Sequence, residues 1–230
     1  MSNELRIFVP VAIRALMGRL LPRLTDVCGR PVEVLIDLNP AIPERIAAGE
    51  AYDIALTNPP YVPSLISAAL ANAGTWRAFG RVPLAVGCRE GLRRPVGKTP
   101  REIADLFRKA ESIAYTASGT SGQNYLDVLD RFGLPDTIAR KSHPMGGGEP
   151  VASVAARRIE LAVAPLTTIL STPGLATAAI FPDEFDAHID MCIFLSPECG
   201  DGAAGGLDFL TSPDLDGELA AAGVTRFELA

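Results

Sequence analysis

At 230 residues, 48% of them hydrophobic, the chain has room for one large or two small domains around a sizeable core. Its net charge of -6, with 21 scattered Lys and Arg, excludes a nucleic-acid surface built on a basic run. No apolar run reaches the roughly 18 residues that a spanning helix needs, so no membrane segment is expected.

Met1-Ser2-Asn3-Glu4 opens directly into a strand with no basic start and apolar signal core. That start reads as cytoplasmic, or as periplasmic if an export signal has been removed. Cys28, Cys88, Cys192 and Cys199 have no CxxC spacing and only two histidines are present, so free thiols and no metal site are expected.

Leu5 to Val9 reads as a short apolar strand, and the stripe of Ile13, Leu16, Met17, Leu20, Leu21 and Leu24 makes Val11 to Leu24 a helix. Pro10 limits the strand and leaves the helix N-terminus beyond the strand's carboxyl end. Val32 to Ile36 is a second strand. Asn39-Pro40 then opens a helix, Ala41 to Ala48, ended by Gly49. Tyr52 to Leu56 is a third strand, closed by Thr57-Asn58-Pro59-Pro60. Ligands of open α/β sheets bind at such strand ends, although Asn58 is more simply explained as a turn former before proline. A helix follows over Ser64 to Ala73, and Arg81 to Cys88 is a strand whose Pro83 suggests an edge or a crossover. Gly91 to Pro100 is a loop with Arg93, Arg94 and Lys98 on a solvated face, and Thr99 with Glu102 has capping-box spacing for the next helix.

Ile113, Ala114 and Tyr115 form a strand that runs into Ser118-Gly119-Thr120-Ser121-Gly122, after which Gln123 to Phe132 has helical spacing. Glycines let a backbone approach a ligand, hydroxyls donate, and the first N–H groups of a helix carry partial positive charge. The stretch therefore describes an anion cradle, or else a βα loop with Ser121 as an ordinary N-cap. A break at Gly133 to Pro135 precedes a strand or loop over Ile138 to Met145. A second glycine cluster, Gly146-Gly147-Gly148-Glu149-Pro150-Val151, opens the helix Val151 to Arg158. Strands at Leu161 to Ala164, Ala178 to Phe181 and His188 to Ser196 follow. Gly200 to Gly206 reads as a flexible acidic loop, and a terminal helix starts near Pro213 and ends at Gly223. The alternation predicts an α/β fold with mostly parallel sheets. Its two lobes are 1-80 plus 179-230 and 81-178, with a ligand cleft between them.

Several segments together resemble the type 2 periplasmic binding protein fold. They are LRIFVPVAIRALMGRLLPRL, AIPERIAAGEAYDIALT, SIAYTASGTSGQNYLDVLDRFGL, GGGEPVASVAARRIELAVAPLTTIL and PGLATAAIFPDEF. Within that fold the resemblance is to the branch of molybdate-binding proteins and the similar aconitate isomerases. It implies that loops beginning at Pro10, Asn39, Asn58, Ser118 and Gly148 line a cleft. The ligand contacts would come from Val11, Asn39, Asn58, Ser118, Gly119, Thr120, Ser121, Gly122 and Val151, with Arg14 balancing charge. Molybdate binders carry serines where this chain has Val11-Ala12 and Asn39-Pro40, which points to a small carboxylate instead.

The missing signal and the isomerase likeness lead to the expectation of an enzyme that moves a double bond in an unsaturated di- or tricarboxylate by allylic proton transfer, without metal or organic cofactor. Glu149 is the first candidate proton carrier, but it is also explained as a first-turn glutamate on the helix dipole. Tyr115 and His143 are further candidates, with a core aromatic and a surface histidine as their plainer readings. The alternative is a non-catalytic solute-binding protein with a transporter partner, or a small-anion sensor.

Overall fold

Alternating Leu5, Ile7 and Val9, all buried, begin a series of short strands each returned by a helix. The computed structural model describes residues 4–91, 96–132 and 135–229. In chain order the first elements are β1 (Leu5–Pro10), α1 (Arg14–Cys28), β2 (Val32–Asp37), α2 (Ala41–Ala47), β3 (Ile54–Thr57), α3 (Val62–Ser67) and β4 (Arg77–Arg89). Then come α4 (Pro100–Lys109), β5 (Ile113–Thr116), α5 (Thr120–Phe132), α6 (Pro135–Ala139), β6 (Ser142–Met145) and α7 (Glu149–Ala155). The last are β7 (Leu161–Pro165), α8 (Leu166–Ser171), β8 (Leu175–Ile180), β9 (His188–Leu195), α9 (Ala203–Thr211) and α10 (Asp216–Ala221). Arg93 and Arg94, read as a solvated face, lie outside the described residues, as does Gly133 of the expected break.

The chain divides into two compact units, Met1–Arg81 with Asp190–Ala230, and Val82–Ile189. It passes from the first to the second inside β4, just before Pro83, and returns inside β9. The sequence placed the return near Ala178, but β8 pairs antiparallel with β4, from Ala85↔Ile180 to Arg89↔Leu175, and so stays in the second unit.

In the first unit β1 is flanked by β2 and β3, both parallel to it, and β9 lies antiparallel on β3. Phe8, Ile42, Ile46, Tyr52, Ala55, Val62, Leu65, Cys192 and Phe194 fill one core cluster. Tyr52 sits with its ring centroid 6.0 Å from both Phe8 and Phe194. α1 buries Leu16, Met17, Leu20 and Leu24 and packs along α9. The Gly200 to Gly206 stretch, expected as a flexible loop, thus supplies the start of a helix. A Cβ at Gly206 would stand 2.9 Å from both the Cys28 Sγ and the Ile54 Cδ1. Close packing of α9 on α1 and β3 therefore needs the glycine and overrides its poor helix propensity. Arg81, in β4, forks onto Asp190 of β9 at 2.6 and 2.7 Å, and its backbone pairs with Thr225 of the tail.

In the second unit β5 is parallel to both β6 and β7, and β7 is antiparallel to β4. Leu84, Val86, Phe107, Tyr125, Val128, Ile138, Val163 and Phe181 pack in one cluster; Ala85, Val151, Val154, Ala162, Ala164 and Ile169 pack in another. Alternate residues of β4 and β7 go to the two clusters, as expected of strands buried on both faces.

The capping box predicted for α4 is complete. The Thr99 hydroxyl accepts from the Glu102 N–H, and Glu102 accepts from Thr99 and Lys98 N–H groups, which holds its carboxyl below the usual range. Thr99→Ala should lower stability by about 1 kcal/mol in urea denaturation.

At the edge of the first unit Arg45 bridges Asp37 and Glu50 and lies 4.8 Å above the Phe8 ring. The Arg45 guanidinium depresses the Glu50 carboxyl, so this pair stabilises the folded chain above the ordinary glutamate range and ceases to as pH falls through the depressed value. Glu50→Gln should therefore cost up to about 1 kcal/mol near neutral pH, as such half-exposed pairs do, and close to nothing in acid, measured by denaturation at both pH values.

Candidate functional site

Because β5 and β6 run parallel with Thr116 opposite Met145, the turns that follow them emerge at the same sheet edge. Ala117 N–H donates to the Met145 carbonyl at 2.9 Å and fixes the start of the first turn. The Gly119 carbonyl then accepts from Gly122 and Gln123 and starts α5, so the helix opens at Thr120, earlier than the periodicity alone indicated. Gly122 is compulsory: a Cβ there would lie 1.8 Å from the Thr116 carbonyl oxygen. This contact folds the chain back on the strand end, where α5 begins.

Ser121 is 7% exposed and Ser118 lies open to solvent. Among the described residues no side-chain hydrogen bond is made by either hydroxyl. The stretch thus places two hydroxyls at the positive end of a 13-residue helix.

The second glycine turn is built differently. Gly148, at φ 81, caps α7, and the exposed Glu149 carboxylate curls back to accept from the Gly146 N–H at 2.8 Å. Pro150 and Val151 are buried beneath it. Tyr115, in β5, is half-buried, with its ring centroid 5.1 Å from that of Tyr125. It lines a cavity of about 310 Å³ with Leu126, Asp130, Ala139 and Ser142. His143 is exposed on β6, beside Ala114 of β5.

In the first unit the parallel register places Pro10 beside Asp37, so the segments after β1, β2 and β3 share one edge. Val11 is half-buried in a single helical turn, whereas Arg14 is exposed at the start of α1. Asn39 is 6% exposed. Its carbonyl accepts from the Thr57 hydroxyl at 2.9 Å, but its side-chain Oδ1 is sealed from water without a partner. A buried amide left so costs about 1–3 kcal/mol. Asn58 is nearly as enclosed, yet its Nδ2 donates to the Asp190 carbonyl at 2.6 Å and ties the β3 end to β9. Cys192 donates its thiol to the Thr57 carbonyl at 3.3 Å, and burial pushes that thiol up to about 12.

Sequence reasoning missed Thr57 as the residue that fixes Asn39. A threonine at a strand end was the available signal. At the opposite strand ends of this unit lies a cavity of about 780 Å³, lined by Arg6, Tyr52, Asp53, Glu198 and Cys199 among others. Asp53 is already engaged there by the N–H groups of Arg6 and Gly200.

Among the described residues no group of three or more His, Cys, Asp or Glu could hold a metal ion, and no helix is long and apolar enough to cross a membrane.

An α/β chain of two such units, with donors gathered after its parallel strands, has the fold of the type 2 periplasmic binding proteins. The sequence matches the family model described as bacterial extracellular solute-binding protein over residues 5–223, and the chain belongs to that family. Solved structures agree in fold. The periplasmic molybdate-binding protein of Azotobacter vinelandii superposes with a TM-score of 0.79 at 14% identity, over 96% of this chain and 98% of that one. The substrate-binding domain of a putative molybdenum ABC transporter from Clostridium difficile gives 0.76 at 15% identity, over 99% and 100%. A tungstate-binding protein from Desulfovibrio alaskensis gives 0.68 at 11% identity, over 99% and 100%. No curated protein matches the sequence significantly.

Family membership corrects the expectation of an isomerase. The matched family is one of solute-binding proteins, so the non-catalytic alternative stands and the double-bond shift does not. The cytoplasmic reading likewise has no support beside a family described as extracellular.

Gly122→Ala should destabilise the protein by about 3 kcal/mol or more, since backbone must move to admit the methyl group. Gly18→Ala, on an open face of α1 with nothing within 4 Å of the added Cβ, should raise stability by about 0.5–1 kcal/mol. Chemical denaturation of the two variants side by side checks both.

Proposed function

We propose that the protein is the solute-binding component of an ABC-type uptake system, acting outside the cytoplasm, and that its solute is a small oxyanion. The observation that carries this reading is the 118–122 turn. It presents the Ser118 and Ser121 hydroxyls at the N-terminal end of α5, with a glycine whose replacement the Thr116 carbonyl forbids. Such a site binds negative charge through neutral donors and helix polarity. Membership of an extracellular solute-binding family supports the same reading, as does the fold shared with proteins that bind molybdate and tungstate. The transporter is the partner that this role requires.

The test is a panel of molybdate, tungstate, sulfate, phosphate and arsenate, added to extensively dialysed protein and followed by thermal melting and calorimetry. A cognate anion at a hundred times its Kd should add about 2.7 kcal/mol of stability and be recovered unchanged. Ser121→Ala should weaken binding about tenfold through loss of one hydrogen bond to a charged oxygen. Failure of every anion to stabilise the protein would sink the proposal.

A further inference from the structure

We infer that the second unit carries a ligand site of the opposite charge preference, a slot for a small organic cation on an apolar stem, an alkylguanidinium or alkylammonium. The site is the cavity of about 310 Å³ lined by β5, β6, α5 and α6. It lies wholly within Val82–Ile189 and stands independently of the anion reading given above.

Ile113 pairs with Ser142 and Tyr115 with Pro144, so Tyr115 and Ser142 rise from the same face of the sheet. α5 packs there: a Cβ at Gly122 would stand 3.4 Å from Tyr115 Cδ2, and Leu126, Leu129 and Asp130 follow along the same side of the helix. The Ser142 hydroxyl donates to the Ile138 carbonyl at 2.9 Å, so it accepts from the Tyr125 hydroxyl 2.8 Å away. These bonds tie α5 and α6 to β6 and spend the polar atoms of the floor. Left to the cavity are the Tyr115 side chain, the apolar Leu126, Leu129 and Ala139, and the carboxylates of Asp127 and Asp130.

The charges there are one-sided. Asp127 accepts from Gln123 Nε2 at 3.0 Å, whereas Asp130 makes no hydrogen bond or ion pair among the described residues. No cation lines the cavity among the described residues. Arg131 is committed to the Phe185 carbonyl, Lys141 to those of Arg108 and Ala110, and Arg140 is exposed outside the lining. Two carboxylates one helical turn apart repel an oxyanion and attract a cation. Apolar walls reject a hydrated inorganic ion but suit a hydrocarbon stem, and Leu126, 42% exposed, supplies such a wall at the mouth. A guanidinium or ammonium head then gains both the ring of Tyr115 and the unspent carboxylate of Asp130. The volume, near the lower end for ligand cavities, suits a stem of a few carbons.

The test is titration of the isotope-labelled full chain with n-butylguanidinium, n-butylammonium and the neutral isostere n-butylurea, followed by two-dimensional amide NMR spectra. Both cations should shift the amides of Leu126, Asp130 and Ala139, and butylurea should bind about fivefold or more weakly. Asp130→Asn should bring butylguanidinium down to the level of butylurea. Tyr115→Leu, apolar but without a ring, should weaken the cations by about threefold and leave butylurea nearly unchanged. If Tyr115→Leu does not fold, Asp130→Asn, at an exposed position, carries the test. Equal binding of butylurea and the cations, undiminished binding by Asp130→Asn, or no shift at these amides overturns the inference. None of these results bears on anion binding, which the oxyanion panel tests separately.

Discussion

Parallel neighbours cannot be joined by a tight turn, so each of β1, β2, β5 and β6 is followed by a helix before the chain returns to the sheet. This constraint gathers the ends of β1, β2 and β3 at one edge of the first unit and those of β5 and β6 at one edge of the second. It also brings helix N-termini, with their partial positive charge, to those edges. The character of each edge follows from that geometry, because the first residues after the parallel strands are the ones placed there.

The two asparagines at these ends show that one residue type can join the frame by its side chain or by its backbone. Asn58 and Asn39 are about equally buried, but only Asn58 has its amide committed to the protein. Thr57 lies between the two roles. Its hydroxyl holds the Asn39 backbone, and its carbonyl accepts the Cys192 thiol. Glu149 shows the reverse case, a carboxylate placed beside a glycine turn and then occupied by the Gly146 N–H. A side chain near a strand end is thus available to a solute only when the local backbone has not already claimed it.

Much of the fold was legible because the signals were local. The stripe of α1, the capping box of Thr99 and Glu102, and the apolar strands each bury what their periodicity says they bury. The passage from β5 through the 118–119 turn into α5 was legible for the same reason. What was not legible depended on partners distant in the chain. Nothing near Gly206 announces a helix, since the reason for its glycine is the Cys28 thiol on α1. Nothing near Ala178 shows that β8 belongs with β4. Nor could the residue list separate Asn39 from Asn58, because that difference lies in a carbonyl of β9. The isomerase expectation failed on a similar ground: residue types able to move protons are present, but the family to which the chain belongs uses this framework to hold solutes.

The first unit is assembled from both ends of the chain, with Val82–Ile189 contained between its two parts. β3 has no antiparallel neighbour until β9 is made, and α1 lacks its partner helix until α9 follows. During synthesis the uninterrupted second unit can therefore close before the first. The opening residues emerge earliest yet reach their final packing last, so the nascent chain carries an uncovered apolar face through most of its elongation.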